Sequence, residues 1–351
     1  MKNTEIIRIN KENIDLEKLQ KAADILKKGG IVAFPTETVY GLGANALDED
    51  AVKKIFKAKG RPSDNPLIIH ISEIEDIKKL VLEIPKKAEV LMEKFWPGPL
   101  TLIFKKSHIV PGITTAGLDT VAVRMPSHPV AKLLIKLSRV PVAAPSANLS
   151  GKPSPTKEEH VIKDLKGRVD GIVCGGDAAI GVESTVLDIT SDVPMILRPG
   201  GVTKENLEDV IGSVKVDPAI LVKADPDLVP KSPGMKYTHY SPDAEVILIK
   251  GDLEDITKEI EKMRRAKEEE GHRVGIMATE ETKERYAGGI VISVGSRSNP
   301  ETIAANLFKV LREFDEKKVD IILAETIEET GVGHAVMNRL TKAAGYKIVR
   351  V

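Results

Sequence analysis

The sequence predicts an α/β fold in two parts: a twisted mixed sheet with covering helices, joined by a long linker to a small Rossmann-like α/β domain. Three observations carry this reading. Short apolar runs of strand length alternate with segments of helical periodicity at both ends of the chain. A proline-punctuated stretch, with Pro218, Pro226, Pro230, Pro233 and Pro242, separates the two alternating regions. The 351 residues also exceed what one hydrophobic core usually organises. The expected divisions are 1–200, 201–243 and 244–351.

In the first part, Leu16, Leu19, Ala23 and Leu26 have helical spacing, and Gly29-Gly30 ends that helix before the apolar run at 31–34. The same unit recurs. Helices are expected near 50–58, across 74–95 and at 130–137, with strands at 67–71, 100–104, 121–125 and 142–144. Short strands at 172–174, 184–189 and 195–197 complete a mixed sheet. After one short helix near 204–211 the periodicity lapses until 245, a connection too long for a passive spacer. Strands then read at 246–249, 274–277, 290–294 and 319–323, with helices at 253–269, 303–314 and 333–344 and a last apolar stretch at 346–349. Helices between short apolar strands imply a small, mostly parallel sheet, but no GxGxxG opens its first turn to bring a dinucleotide with it.

Composition narrows the function classes. Fifty-two basic and 52 acidic residues cancel, which argues against bulk affinity for nucleic acid or anionic membrane and leaves local basic clusters open. One cysteine, Cys174, excludes an intrachain disulfide and a cysteine-rich metal site, and its strand-like surroundings read as a small buried residue. No apolar run reaches signal-peptide or membrane-span length, so the expectation is a cytoplasmic protein without membrane association.

The chemistry-bearing segments lie at strand ends in the first part. Lys57-Ala-Lys-Gly-Arg-Pro-Ser-Asp-Asn65 sets three cations, a hydroxyl and a carboxamide in a Gly/Pro-constrained turn, and reads as an anion site, since arginine grips phosphate or carboxylate bidentately and lysine neutralises it as a point charge. Thr36, Glu37, Thr38 and Tyr40 follow the strand at 31–34. From that segment alone, a ligand crevice and an ordinary polar turn read equally well. Arg124 interrupts an apolar strand and needs an anionic partner. Ser146 and Asn148, Ser184 and Thr185, and Arg198 stand at further strand ends. Walker A, HExxH and GxSxG sequences are absent. What remains suits the holding of carboxylate and phosphate groups rather than attack by a side-chain nucleophile.

Phe34-Pro-Thr-Glu-Thr-Val-Tyr-Gly-Leu, Lys59-Gly-Arg61 with Ser63-Asp-Asn65-Pro-Leu, Phe95-Trp-Pro-Gly-Pro-Leu-Thr101, Val123-Arg-Met-Pro126, Ala144-Pro-Ser-Ala-Asn148-Leu-Ser-Gly151 and Ser184-Thr185 together resemble the YrdC-like domain of the threonylcarbamoyl-AMP synthases. The segment Ser232-Pro-Gly-Met-Lys-Tyr-Thr-His-Tyr-Ser-Pro242 and the second part resemble the long form of that family. The resemblance implies a nucleotidyltransferase that joins L-threonine, bicarbonate or CO2, and ATP into threonylcarbamoyl-adenylate and releases pyrophosphate. The product would serve N6-threonylcarbamoyladenosine formation at tRNA position 37, through a separate transferase and without firm tRNA binding by this chain.

By the same resemblance, Thr36, His70, Arg124 and Ser184 would surround threonine. Lys59 and Arg61 would be catalytic, and Arg61, Ser63, Asn65, Thr120, Ala144, Ser146, Ser154, Arg198 and Tyr237 would contact the nucleotide. Mg²⁺ would arrive with ATP, with no direct side-chain ligand expected. Tyr237 would lie in a linker that closes over the first domain. Two rival readings are a non-catalytic RNA-binding module and carbamoyl transfer. The first does not explain the hydroxyls and amides that accompany the cations, and the second lacks the zinc-finger cysteines of the relatives that perform it. Trp96 reads as a packed corner rather than a base-stacking platform.

Overall fold

The structure, a computed structural model, describes residues 2–220 and 239–351. Two compact units emerge, the first built from residues up to 150 and from 154 onward through the described part of the linker, the second from Gly151–Pro153 and the chain from 239 to its end. Tyr237 and the body of the expected closing segment lie outside the described residues.

In the first unit the order is β1 (Glu5–Arg8), α1 (Leu16–Lys27), β2 (Val32–Phe34), β3 (Gly41–Asn45), α2 (Glu49–Lys59), β4 (Ile68–His70), α3 (Lys86–Phe95), β5 (Leu100–Lys105) and α4 (Gly112–Thr115). There follow β6 (Thr120–Arg124), α5 (Pro129–Ser138), β7 (Val142–Ala143), α6 (Glu158–Leu165), β8 (Gly171–Cys174), β9 (Thr185–Asp188), β10 (Met195–Arg198), α7 (Lys204–Ile211) and β11 (Lys215–Val216). Among the described residues these strands form one mixed sheet in the order β1-β8-β2-β3-β7-β4-β6-β5-β9-β10-β11. Successive residues feed opposite faces, as strand geometry requires: Val32 and Phe34 join Leu19, Leu26, Val130 and Leu134 from α1 and α5, while Ala33 joins the cluster that holds Ile55 of α2 and Leu91 of α3. The helices obey ordinary termination rules. Asp15 and Asp48 cap α1 and α2 through their side chains, and α2 stops at Gly60, whose φ of 63° suits glycine.

Two expectations are corrected. The Gly41-Leu-Gly43 segment, where no strand is expected, is strand β3, antiparallel to β2. Its glycines are filled from outside, because a Cβ on Gly43 would meet Val142 Cγ1 at 2.7 Å and Phe34 Cε1 at 2.8 Å. The single helix expected across 74–95 is a 3-10 turn at Ile74–Lys79 followed by α3, which starts directly after Pro85. Proline removes an N–H donor and biases the residue before it away from helical geometry, so a continuous helix cannot cross that point. Cys174 is buried in β8, and burial pushes its thiol up to about 12. Trp96 packs in the core and donates its Nε1–H to Leu100 O at 2.7 Å.

The second unit contains β12 (Glu245–Lys250), α8 (Leu253–Glu269), β13 (Val274–Ala278), β14 (Ile290–Ser293), α9 (Pro300–Lys317), β15 (Ile321–Glu325), α10 (Gly333–Ala343) and β16 (Ile348–Arg350). Its strands are parallel throughout, in the order β14-β13-β15-β12-β16. At the carboxyl end of β15, Glu325 is sealed in, its side chain only 1% exposed. It accepts from Thr282 Oγ1 (2.5 Å), Tyr286 Oη (2.6 Å), Thr279 Oγ1 (3.0 Å) and Arg297 Nη2 (2.7 Å). Tyr240 stacks on Phe308 of α9 at 5.2 Å. No helix among the described residues is long and apolar enough to cross a membrane.

Candidate active site

Strand register assembles the site. His70 of β4 pairs with Arg124 of β6, Arg124 with Thr101 of β5, Thr101 with Val186 of β9, and Val186 with Arg198 of β10, so one row runs across five strands. Residues directly opposite in neighbouring strands share a face. Leu100, Leu102, Val121 and Val123 face the apolar cluster under α2 and α3, which leaves Thr101 and Arg124 on the other face. A register shift between Ile196 and Arg198 keeps Arg198 level with Val186 despite the extra residue. Arg198 donates from Nε to Ser184 O at 3.0 Å and from Nη2 to Ser184 Oγ at 3.0 Å, and Ser184 Oγ also meets Thr101 Oγ1 at 2.7 Å. The chain closes tightly here, since a Cβ on Gly200 would lie 2.3 Å from Thr185 N and 2.5 Å from Glu183 O.

The loop between β2 and β3 covers this row. Thr36 Oγ1 donates to Val39 O at 2.6 Å and lies 2.9 Å from Thr38 Oγ1, which in turn accepts from Arg124 Nη1 at 2.9 Å. Arg124 Nε donates to Gly98 O at 3.2 Å, and its Nη2 stands 2.7 Å from Glu37 Oε1. Arg124 and Glu37 are thus a buried ion pair, with side chains 4% and 10% exposed. Burial works against the Glu37 anion, but the Arg124 charge prevails and holds the carboxyl below its usual range. His70 is buried beside them, where desolvation and the Arg124 charge push it down to about 3, so its ring is neutral at physiological pH. Threonines 36 and 101, His70, Arg124 and Ser184 therefore form one continuous polar patch.

A second group gathers at the turn after α2. Lys59, the last residue of α2, is buried and donates to Ser146 O (2.5 Å) and Asn148 O (2.6 Å), tying the helix end to the turn beyond β7. Ser146 Oγ donates to Asn148 Oδ1 at 2.6 Å. Arg61 is half-buried, its guanidinium 6.0 Å from the Phe56 ring and its Nη2 3.4 Å from Asn65 O. Asn65 is fully buried, with neither carboxamide atom hydrogen-bonded among the described residues, while Ser63 is exposed. Such an orphaned buried amide is expensive unless a ligand completes it. Ala144 is buried at the end of β7, its N–H donating to Ile68 O at 2.9 Å, and Ser154 Oγ donates to Glu183 Oε1 at 2.5 Å. Thr120 begins β6, at the far end of that strand from Arg124 and so about 13 Å away at the usual strand rise. Among the described residues no three His, Cys, Asp or Glu side chains come together as a metal cage.

In sequence, Glu37 and Thr38 stand out only as part of a segment that reads equally as crevice or turn, and Thr101 and Glu183 carry no assigned role. Thr101 and Glu37 were visible as polar residues within quoted motifs. Their pairing with Ser184 and Arg124 is set by sheet register and could not be read from local pattern.

Residues 24–200 match the Sua5–YciO–YrdC family, described as "Telomere recombination", and residues 202–345 match the family described as "Threonylcarbamoyl-AMP synthase, C-terminal domain". The threonylcarbamoyl-AMP synthase of Pyrococcus abyssi is 52% identical over 341 residues, covering 97% of this chain and 98% of that protein. The chain belongs to the threonylcarbamoyl-AMP synthases. The Bacillus subtilis enzyme of the same name is 54% identical across 95% of this chain and 94% of its own length. The crystal structure of P. abyssi Sua5 complexed with L-threonine superposes with a TM-score of 0.94 at 52% identity, covering 99% of this chain and 100% of that one. The expected fold class is thereby borne out, a YrdC-like mixed sheet followed by a Rossmann-like domain, and the chain is an enzyme of nucleotidyltransferase type.

Proposed function

We propose that the row carrying His70, Arg124 and Ser184, with Thr36 above it, receives L-threonine, and that the turn of Lys59, Arg61, Ser63 and Asn65 receives the ATP phosphates. As a member of its family the enzyme makes threonylcarbamoyl-adenylate from L-threonine, bicarbonate and ATP, with loss of pyrophosphate, for tRNA modification. The observation that carries the division of roles is Arg124, a buried guanidinium with two edges fixed on Thr38 and Gly98 and the third turned to a carboxylate. Arginine's planar fork suits a substrate carboxylate in the same place.

In this reading Thr120, Ala144, Ser146, Ser154, Arg198 and Tyr237 contact the nucleotide. The separation of Thr120 from Arg124 then fits a ligand as long as ATP. Arg61 neutralises the phosphates beside the orphaned Asn65 amide, and Lys59 fixes the turn from which they act, so two anionic reactants are brought together with less repulsion. Magnesium would enter on the triphosphate and supply further neutralisation there. The product passes to a separate transferase, the chain holds tRNA only weakly, and its work lies in the cytoplasm.

Purified protein supplied with threonine, bicarbonate and Mg-ATP is expected to release pyrophosphate and accumulate the mixed anhydride, detected by mass spectrometry, with loss of product when any one substrate is omitted. ATP cleavage that proceeds equally without threonine would sink the assignment. A filter-binding titration with tRNA tests the last part, since tight, salt-sensitive retention contradicts weak holding.

A further inference from the structure

We propose that Glu37 takes the proton from threonine's ammonium group, and that the substrate's own carboxylate frees Glu37 to do so by sharing Arg124. This deepens the reading of Arg124 as the carboxylate anchor and rests on it.

The geometry points first to a pair that is close but unfinished. Glu37 Oε1 and Arg124 Nη2 stand 2.7 Å apart in a buried setting, and besides that guanidinium the carboxylate is favoured by the backbone amides of Glu37 and Ser127, with no side-chain hydroxyl among the described residues donating to it. The other edges of the guanidinium are fixed on Thr38 Oγ1 and Gly98 O. Glu325, which steadies Arg297, has three hydroxyl donors around it, as a buried anion of structural duty is expected to have, because a thinly supported buried anion is costly. An α-amino acid carries its carboxylate and ammonium on one carbon. An arginine and a glutamate side by side form the matching array of opposite charges, so a carboxylate seated on Arg124 sets the ammonium beside Glu37.

The chemistry requires such a group. An ammonium has no lone pair and cannot attack bicarbonate. When Glu37 accepts one proton, an N–H bond breaks, an O–H bond forms, and the electron pair stays on nitrogen. The amine nitrogen then bonds the bicarbonate carbon, and the C–OH bond breaks as hydroxide leaves with a second nitrogen proton as water. The Glu37 proton returns to solvent when product departs. No reactant beyond those of the established activity is needed.

The surroundings support the order of events. Arg124 on β6, His70 on β4 and His128 at the start of α5 are the charged and titratable groups that interact with Glu37. Burial pushes both imidazoles down, so neither competes as a cation at neutral pH, and His70, near 3, is a poor base. Glu37 is held low by Arg124 against the opposing effect of burial. Once a substrate carboxylate shares that guanidinium, burial remains while the attraction is divided, and Glu37 becomes the stronger base.

The test is Glu37→Gln, close to isosteric, with threonine affinity measured by calorimetry and kcat by pyrophosphate release from about pH 6.5 to 9.5. Threonine binding is expected to weaken by about tenfold as the ammonium loses its charged partner, kcat to fall much further, about 10²–10⁴-fold, and the residual kcat to climb about tenfold per pH unit as free amine accumulates. A kcat within an order of magnitude of the parent, or a loss confined to affinity with the parental pH profile, overturns the proposal. Should Glu37→Gln lose ATP binding, Glu37→Asp takes its place: a carboxylate withdrawn by one carbon is expected to lower kcat while keeping the parental pH profile, and parental kcat there overturns the idea equally. Arg124→Ala separates the two layers, because undiminished threonine binding in that variant defeats the anchor reading itself.

Discussion

Both units bury a carboxylate against an arginine at 2.7 Å, and the two pairs are finished differently. Glu325 in the second unit takes three hydroxyl donors besides Arg297, whereas Glu37 in the first has Arg124 and the backbone amides of Glu37 and Ser127 and, among the described residues, no hydroxyl donor. Saturation is the signature of a group that holds a fold together, since a buried polar network stabilises only when every member is satisfied. Open valence costs stability, and it persists where a ligand supplies the missing partners. Their positions agree with that contrast: Glu325 closes the end of a parallel strand onto its own neighbours, and Glu37 sits over a row of polar side chains aligned by register.

The contrast breaks most directly at Glu325. Glu325→Ala strands Arg297 and three hydroxyls, and is expected to cost about 3–5 kcal/mol of stability in chemical denaturation. A loss near zero would mean that saturation does not mark structural duty. Next in size is activity. Arg124→Ala is expected to reduce threonine-dependent pyrophosphate release about 10²–10³-fold, the usual loss of a charge-stabilising donor, while Arg297→Ala leaves it within a few fold. Equal losses in the two variants would erase the difference between the pairs.

Glu37→Gln is expected to be milder for stability than Glu325→Ala, about 1–3 kcal/mol, because fewer hydrogen bonds are lost and Arg124 keeps Thr38 and Gly98. Matched denaturation curves of the two variants decide the ranking. The last effect is a slope against pH. His70 is near 3 when folded and near 6.5 when unfolded, so the unfolded chain binds the extra proton between those values. Stability is therefore fully present above about 6.5 and falls by about 1.4 kcal/mol per pH unit as acid is added, with His128 acting in the same direction. Glu37, whose folded value is lowered, adds a loss that begins as pH falls through its unfolded value of 4.5 and is complete below the folded one. His70→Asn is expected to flatten the first part of this slope in thermal melts recorded from pH 7 to 4, and an unchanged slope would remove His70 from the account.

The same contrast explains what could be read beforehand. Arg124 was legible because a charge inside an apolar strand demands a partner, but the partner lies far away in sequence and only folding brings Glu37 to it. The strands of the first unit were legible wherever apolar runs were dense. Strand β3 was not, because Gly41 and Gly43 give no apolar signal of their own and their space is taken by Phe34 and Val142. In the second unit the alternation of helices and short strands gave away the parallel sheet. Glu325 went unnoticed because a single acidic residue after an apolar run looks like any strand end, and its four donors come from other segments.

The close packing of Gly200 against residues 183–185 has a consequence for anyone recombining this enzyme with its relatives. Ser184, Arg198 and Gly200 share one mould, so the stretch between 183 and 200 behaves as a linked block. A crossover inside it would join one parent's turn to another parent's strand and need every contact to match by chance. Crossovers placed outside the block inherit it whole.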